Sequence, residues 1–334
     1  MPACRQGGVP APGGEDARRA NELTVAEAIR WAQEEMVRGL PARLGDARAE
    51  VARAEAEQLL LWAAGWERID LVTRLRDRLP AAASARFRHA VARRKAGEPL
   101  QYITGRAPFL GRMFRVTPDV LIPRPETEVL YAAAAAWLRF PVCAHLRARI
   151  YDLGTGSGVL AISLALACPA AEVIACDISA AAVAVAAGNA AALGARVAWR
   201  TGDGFAVWGE LASTGWLPHL VVSNPPYIPA GEIARLDAEV RDHEPRLALD
   251  GGPDGLDFYR RFAAMGDAAF AATPEPAAML LEVGDGQADA VCALFAAQAE
   301  RWPGWAFTVI PDLRGIPRVV AAARGAPLPA LPQT

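Results

Sequence analysis

The sequence predicts an α/β protein built on a largely parallel sheet covered on both faces, with a small helical bundle ahead of it. Three observations carry that expectation. From Arg149 onward, short and nearly continuous apolar runs alternate with alanine-rich helical segments, as strands buried on both faces do. The first of these runs passes into a turn holding Gly154, Gly156 and Gly158 before its helix begins. Residues 21–95 instead carry helical stripes. The 334 residues suffice for one large domain and a smaller one.

Residues 1–20 are rich in Gly, Pro and charge and lack an apolar stretch, so they read as a disordered tail and not as a secretory signal. Thr24, with Glu27 three residues on, forms a capping-box pattern ahead of an alanine-rich helix. Ala52, Ala56, Leu59, Leu60 and Ala63 mark one face of another helix, and Gly65 stands where its C-terminal cap belongs. Ser84 opens a further segment with Phe87 and Val91 on one face. Arg86, Arg88, Arg93 and Arg94 between them read as a solvated face, or as a surface for a partner. Gln101–Ile103 and Met113–Val116 alternate around Gly105, Pro108 and Gly111, which predicts a β-hairpin linker. Leu121–Glu128 is an extended, proline-held segment that runs into a helix from about Glu126 to Leu138.

Strands are expected at Ile150–Leu153, Glu172–Cys176, Arg196–Arg200, Leu220–Ser223, Ala277–Val283, Ala306–Ile310 and Arg318–Ala321. A short loop through Pro311 and Gly315 joins the last two, so they are expected to be antiparallel neighbours. The expected boundaries are a tail over 1–20, a helical domain over 21–96, a hairpin linker over 97–122, the α/β domain over 123–324 and a C-terminal tail over 325–334.

A net charge of −2 lacks the basic excess of a chain that grips a nucleic-acid backbone. No apolar run reaches the ~18 residues of a membrane span. Cys4, Cys143, Cys168, Cys176 and Cys292 are scattered without a C-x-x-C pair, as reduced cysteines of a cytoplasmic protein are. The histidines His89, His145, His219 and His243 have no metal-ligand spacing. The expectation is a cytoplasmic monomer with no metal, no direct nucleic-acid partner and no membrane.

The candidate site has two halves. Asp152-Leu153-Gly154-Thr155-Gly156-Ser157-Gly158 joins the first strand to its helix. Its glycines permit a tight turn and close backbone approach, and the helix N-terminus offers free N–H groups. Asp177 closes the second strand, where a carboxylate meets ribose hydroxyls. Asp203 after the third strand stands at the adenine end, or only caps the next helix. This order of strand, glycine turn, helix, strand and Asp points to a nucleoside cofactor.

The other half is Val221-Val222-Ser223-Asn224-Pro225-Pro226-Tyr227-Ile228. Two prolines cannot continue a sheet ladder, so the backbone leaves the sheet at Asn224 with free carbonyls. An amide, free carbonyls and a ring at a strand's carboxyl end can hold a planar –NH2 group. A methyl donor with a sulfonium charge and no phosphates, S-adenosyl-L-methionine, suits this corner better than a nicotinamide cofactor does. Tyr227 can then lie beside the positive sulfur, or it can be a hydrophobic plug. The bland alternative for the whole string is a proline turn that Asn224 merely caps.

From about Gly97 to Ala322 the chain resembles the release-factor glutamine methyltransferase family (PrmC/HemK). Pro99–Gly105, Leu121–Glu128, Asp152–Gly158, Asp177 and Ser223–Ile228 carry the resemblance, as do Glu239–Pro245, Ala248-Leu249, Gly251–Leu256, Leu281–Gly284, Asp312-Leu313 and Arg318–Val320. It implies a Rossmann-like, seven-stranded class I S-adenosylmethionine-dependent methyltransferase domain after a helical substrate-docking domain. It also implies cofactor contacts at Gly154, Thr155, Gly156, Ser157, Gly158, Asp177, Asp203, Gly204 and Asn224. Asn224, Pro225, Pro226 and Tyr227 match the substrate clamp, with Asn224, Pro225 and Tyr227 carrying the chemistry. The implied substrate is the glutamine of the Gly-Gly-Gln tripeptide in class 1 peptide-chain release factors. Gly204 departs from relatives that carry an aromatic there. An adenine-N6 DNA or RNA methyltransferase shares the amino-group clamp, and a ribosomal-protein glutamine is another acceptor of the same chemistry.

Overall fold

The computed structural model describes residues 23–40, 42–140, 147–270, 273 and 275–328. The expected tail over 1–20, Cys4, Cys143, His145 and residues 329–334 of the expected C-terminal tail lie outside the described residues. The chain divides into two compact units, one ending at Thr104 and the other beginning at Gly105.

The first unit is helical: α1 (Val25–Met36), α2 (Arg48–Ala64), α3 (Arg68–Thr73), α4 (Ala81–Lys95) and α5 (Leu100–Thr104). Thr24 and Glu27 form the expected capping box, and Gly65 ends α2 in the left-handed conformation at φ 68°. Three expectations need correction. Ser84 does not open α4, which begins at Ala81 behind Pro80, and Ser84 is buried inside it. Arg94 does not belong to a solvated face; it is buried and paired with Glu55 at 2.7 Å. Gln101–Ile103 is helix and not strand. Leu100, Tyr102 and Ile103 are all buried, and three residues satisfy either periodicity. The local choice falls to helix because the Pro99 carbonyl accepts the N–H groups of Tyr102 and Ile103, and Gly105 leaves at φ 72°.

The second unit opens with the hairpin itself, β1 (Arg106–Phe109) and β2 (Arg112–Arg115), paired antiparallel. Then come α6 (Thr127–Leu138), β3 (Arg149–Leu153), α7 (Val159–Ala167), β4 (Glu172–Asp177), α8 (Ala180–Leu193), β5 (Ala198–Thr201), α9 (Gly204–Ser213) and β6 (Leu220–Ser223). The chain continues through α10 (Ala238–Arg241), α11 (Asp257–Met265), β7 (Ala277–Glu282), α12 (Ala288–Ala296), β8 (Ala306–Pro311) and β9 (Pro317–Arg324). Seven of the strands form one sheet in the order β5-β4-β3-β6-β7-β9-β8. Its first five strands run parallel, and β9 is antiparallel to both β7 and β8.

Burial follows from that order. β6 and β7 are buried along their whole length, whereas the edge strands β5 and β8 are largely exposed. Alternate residues feed two cores. Ile150, Val173, Val222 and Leu280 pack with α6 and α7 on one face. Tyr151, Ile174, Val221 and Leu281 pack with α9, α11 and α12 on the other. The sheet order reverses between β3 and β6, and parallel sheets open a crevice at such a point beyond their carboxyl ends.

Candidate active site

A cleft of about 350 Å³ lies over those carboxyl ends. Its lining brings together Gly154, Thr155, Gly156, Ser157, Asp177, Asp203, Gly204, Asn224, Pro225 and Pro226. The Ser223 hydroxyl donates to the Leu153 carbonyl, 70 residues back, at 2.7 Å and joins the end of β6 to the end of β3.

The glycine turn is held from beneath. Asp152 is fully buried, and its Oδ2 accepts from the Thr155 hydroxyl (2.6 Å) and the Ala161 N–H (3.2 Å). Burial pushes its carboxyl up to about 7, against the pull of those two donors. Thr155 and Ser157 are themselves buried, so they shape the turn as much as they line it. Asp177 accepts the Gly156 N–H on Oδ2 and the Ser179 N–H on Oδ1, each at 2.9 Å. Burial raises its pKa from the ordinary value while the Ser179 and Gly156 N–H groups lower it. Each oxygen keeps a lone pair for a further donor.

Gly158 and Tyr227 are not part of the lining. Gly158 sits at φ 84°, and a Cβ there would lie 2.9 Å from Ile162 Cδ1 and 3.0 Å from Ala186 Cβ; it is a packing glycine between α7 and α8. Tyr227 packs on the second core, with its phenol pushed up to about 12 by burial and the nearby Glu282. That is the plug arrangement. Asp203 accepts from Phe205 N and Ala206 N, so it caps α9, and it also pairs with Arg261 at 2.7 Å. Gly204 fits because a Cβ would lie 2.5 Å from Leu153 Cγ. The aromatic wall next to it comes from Phe205, which lines the cleft with Phe258 and carries the Arg261 guanidinium 4.0 Å from its ring centroid.

Asn224 is half-buried and donates from Nδ2 to the Thr127 hydroxyl at 3.1 Å. No described residue donates to its Oδ1. The turn is braced from behind by backbone bonds, Ile228 N to Leu249 O (3.0 Å) and Gly251 N to Ile228 O (2.9 Å). A Cβ on Gly251 would come within 2.8 Å of the Pro226 carbonyl.

Several contributors were not singled out as site residues from the sequence. Asn189, a lone polar residue in alanine-rich α8, donates to Ser157 O (2.9 Å) and Arg115 O (3.0 Å) and accepts from Arg115 N (2.7 Å). Glu244 accepts from Ile122 N (3.2 Å) and pairs with Arg124 (2.5 Å), which fixes the proline segment along one wall. Thr127, Ile178, Leu247, Phe205 and Phe258 also line the cleft. The pattern that exposes them is spatial: apolar side chains left exposed beside strand ends, such as Ile178 and Leu247.

A seven-stranded sheet in this order, with a glycine turn after its first strand and Asn-Pro-Pro-Tyr after its fourth, defines a class I methyltransferase. Residues 27–105 match the PrmC N-terminal domain, and residues 136–239 match the methyltransferase small domain. The release factor glutamine methyltransferase of Moorella thermoacetica is 47% identical over 252 residues, covering 75% of this chain and 84% of that one. The one of Cereibacter sphaeroides is 44% identical over 283 residues, covering 84% and 94%. The crystal structure of a release factor-specific protein-(glutamine-N5) methyltransferase from Alicyclobacillus acidocaldarius is 36% identical at a TM-score of 0.41, covering 64% of this chain and 100% of that one. The chain belongs to the release factor glutamine methyltransferase family. No helix among the described residues is long and apolar enough to cross a membrane.

Proposed function

We propose that this protein transfers a methyl group from S-adenosyl-L-methionine to N5 of the glutamine in the Gly-Gly-Gln tripeptide of class 1 peptide-chain release factors. The observation that carries the reading is Asn224, whose amide nitrogen is tied to Thr127 while its oxygen stays available in the cleft. Similarity to release factor glutamine methyltransferases over most of the chain supports it.

The cleft residues fit the cofactor. Asp177 has lone pairs left for ribose hydroxyls, and Ile178, Phe205 and Phe258 offer apolar walls to an adenine. When bound, S-adenosylmethionine supplies an electrophilic methyl group on a positive sulfur. Asn224 Oδ1 and the Pro225 carbonyl each accept one N–H of the glutamine amide and turn its nitrogen toward that methyl. An amide nitrogen is a poor nucleophile, so positioning matters, and it can lower a bimolecular barrier by up to about 7–11 kcal/mol. The same two acceptors stabilise positive charge as it develops on nitrogen. No general base is assigned, because the methylated nitrogen is acidic and loses its proton afterwards. The first unit serves in this reading as the docking surface for the rest of the release factor, since three residues on a loop offer little area.

Mass spectrometry of purified release factors after incubation with the protein and labelled cofactor tests the reading. One methyl group on the Gly-Gly-Gln glutamine is expected. Label on another residue, or none, overturns it.

A further inference from the structure

Gln287 stands directly ahead of α12, half-buried, and it is not part of the cleft lining. Both ends of its side-chain amide are nevertheless engaged. Oε1 accepts the Gly284 N–H at 3.0 Å, and Nε2 donates to the Tyr227 carbonyl at 2.8 Å. The Gln287 backbone N–H returns a bond to the Gly284 carbonyl at 3.1 Å, which closes the side chain into a ring with the loop after β7. Two glycines make room for it. A Cβ on Gly284 would lie 2.6 Å from Gln287 Oε1, and one on Gly255 would lie 2.7 Å from Nε2.

A carboxamide has an oxygen that only accepts and an –NH2 that only donates. Turned over, it would set –NH2 against the Gly284 N–H and oxygen against the Tyr227 carbonyl, so one direction alone satisfies both partners. Gly284 thereby aims a donor at the backbone of the Asn-Pro-Pro-Tyr turn, 60 residues back along the chain from Gln287. The other end of the turn is held by Asn224, whose Nδ2 donates to Thr127. The two atoms that accept the substrate amide in the reading above, Asn224 Oδ1 and the Pro225 carbonyl, belong to residues within this pair of anchors. Pro225 and Pro226 have fixed φ, so with both ends held few torsions remain through which the Pro225 carbonyl can swing.

Resting on the function proposed above, we infer that Gln287 is a positioning residue for methyl transfer: it anchors the Tyr227 carbonyl and so keeps the Pro225 carbonyl aimed, with Asn224 Oδ1, at the glutamine amide. Displacement of a positioned group slows a reaction even when the changed residue lies away from the reacting atoms. The effect falls on the acceptor half of the cleft. The side chain of Gln287 bonds to Gly284 and Tyr227, and neither of these lines the cleft beside the glycine turn and Asp177.

The test is single-turnover methylation of a release factor by the full chain at saturating cofactor and acceptor, alongside cofactor titration and thermal melting. Gln287→Glu keeps the size of the side chain and the acceptor for Gly284 but puts an oxygen where the donor was. Gln287→Ala removes both bonds. Each variant is expected to slow transfer about tenfold, while cofactor affinity stays within about twofold of wild type. If the wild type transfers methyl and Gln287→Glu does so equally fast, packing and not the donated hydrogen bond holds the turn, and this inference alone is overturned. It is equally overturned if cofactor affinity falls in proportion to the rate, as a general loosening of the domain would make it do. Should Gln287→Ala fail to fold, Gln287→Glu decides. No transfer to the glutamine by the wild type overturns both this inference and the function it rests on.

Discussion

At one end of the cleft, Asp177 is fixed by backbone N–H groups from Ser179, two residues on, and Gly156, 21 residues away in the turn after the neighbouring strand. At the other end, Asn224 is held by a side chain 97 residues distant, Thr127. The first arrangement is made from main chain and follows from a local motif. The second is made from side chains that meet only because the fold brings the end of β6 and the start of α6 together. A site fixed by main chain tolerates exchange of its neighbours, whereas one fixed by a distant side chain fails when that side chain is changed.

The largest effect expected from this contrast is at Asn224. Loss of one preorganised acceptor in a transition state costs on the order of 10²–10³ in turnover, so Asn224→Ala is expected to lose that much, with cofactor affinity falling far less. Single-turnover kinetics beside a cofactor titration separates the two quantities. Parallel losses in both would erase the distinction between the two ends. Asp177→Ala is expected to do the opposite: a charged acceptor lost, cofactor binding weaker by about 1.5–3 kcal/mol, and a transfer rate at saturation much less affected. Calorimetry giving an unchanged affinity in a folded variant would take Asp177 out of the site. The smallest effect is expected at Asp203, which caps α9 and pairs with Arg261 on the surface. Exposed pairs contribute ~0–1 kcal/mol and an N-cap ~1 kcal/mol. Asp203→Ala is therefore expected to lower thermal stability by about 1 kcal/mol and to shift cofactor affinity less than Asp177→Ala does. A larger affinity loss at Asp203 than at Asp177 would reverse the ranking.

What the sequence reveals divides along the same line. The parallel strands and the glycine turn were legible because strand periodicity and chain-neighbour chemistry determine them. So was the antiparallel pairing of β8 with β9, which follows from a loop too short to cross over. The Gln101–Ile103 segment misled because three residues cannot carry a period. Tyr227 admitted two readings, and only the packing of the second core separates a ring in the cleft from a ring beneath it. Thr127 and Asn224 lie inside stretches that resemble the family, yet nothing in either stretch states that one hydrogen-bonds the other. Arg94 shows the same limit in the first unit, since its partner Glu55 lies 39 residues back along the chain on another helix.

Gly251 and Gly255 lie directly behind the Asn-Pro-Pro-Tyr turn, where added Cβ atoms would approach the Pro226 and Tyr227 carbonyls to 2.8 and 2.3 Å. At these two positions the backing offers no side chain that selection could vary, and beside them Gln287 Nε2 holds the Tyr227 carbonyl at 2.8 Å. Variation is freer at the rim, at positions such as exposed Leu247. A lineage descending from such a chain can drift in which molecule it admits far more readily than in how it grips an amino group. Attempts to redirect the scaffold to a new acceptor should randomise the rim and leave the glycines alone.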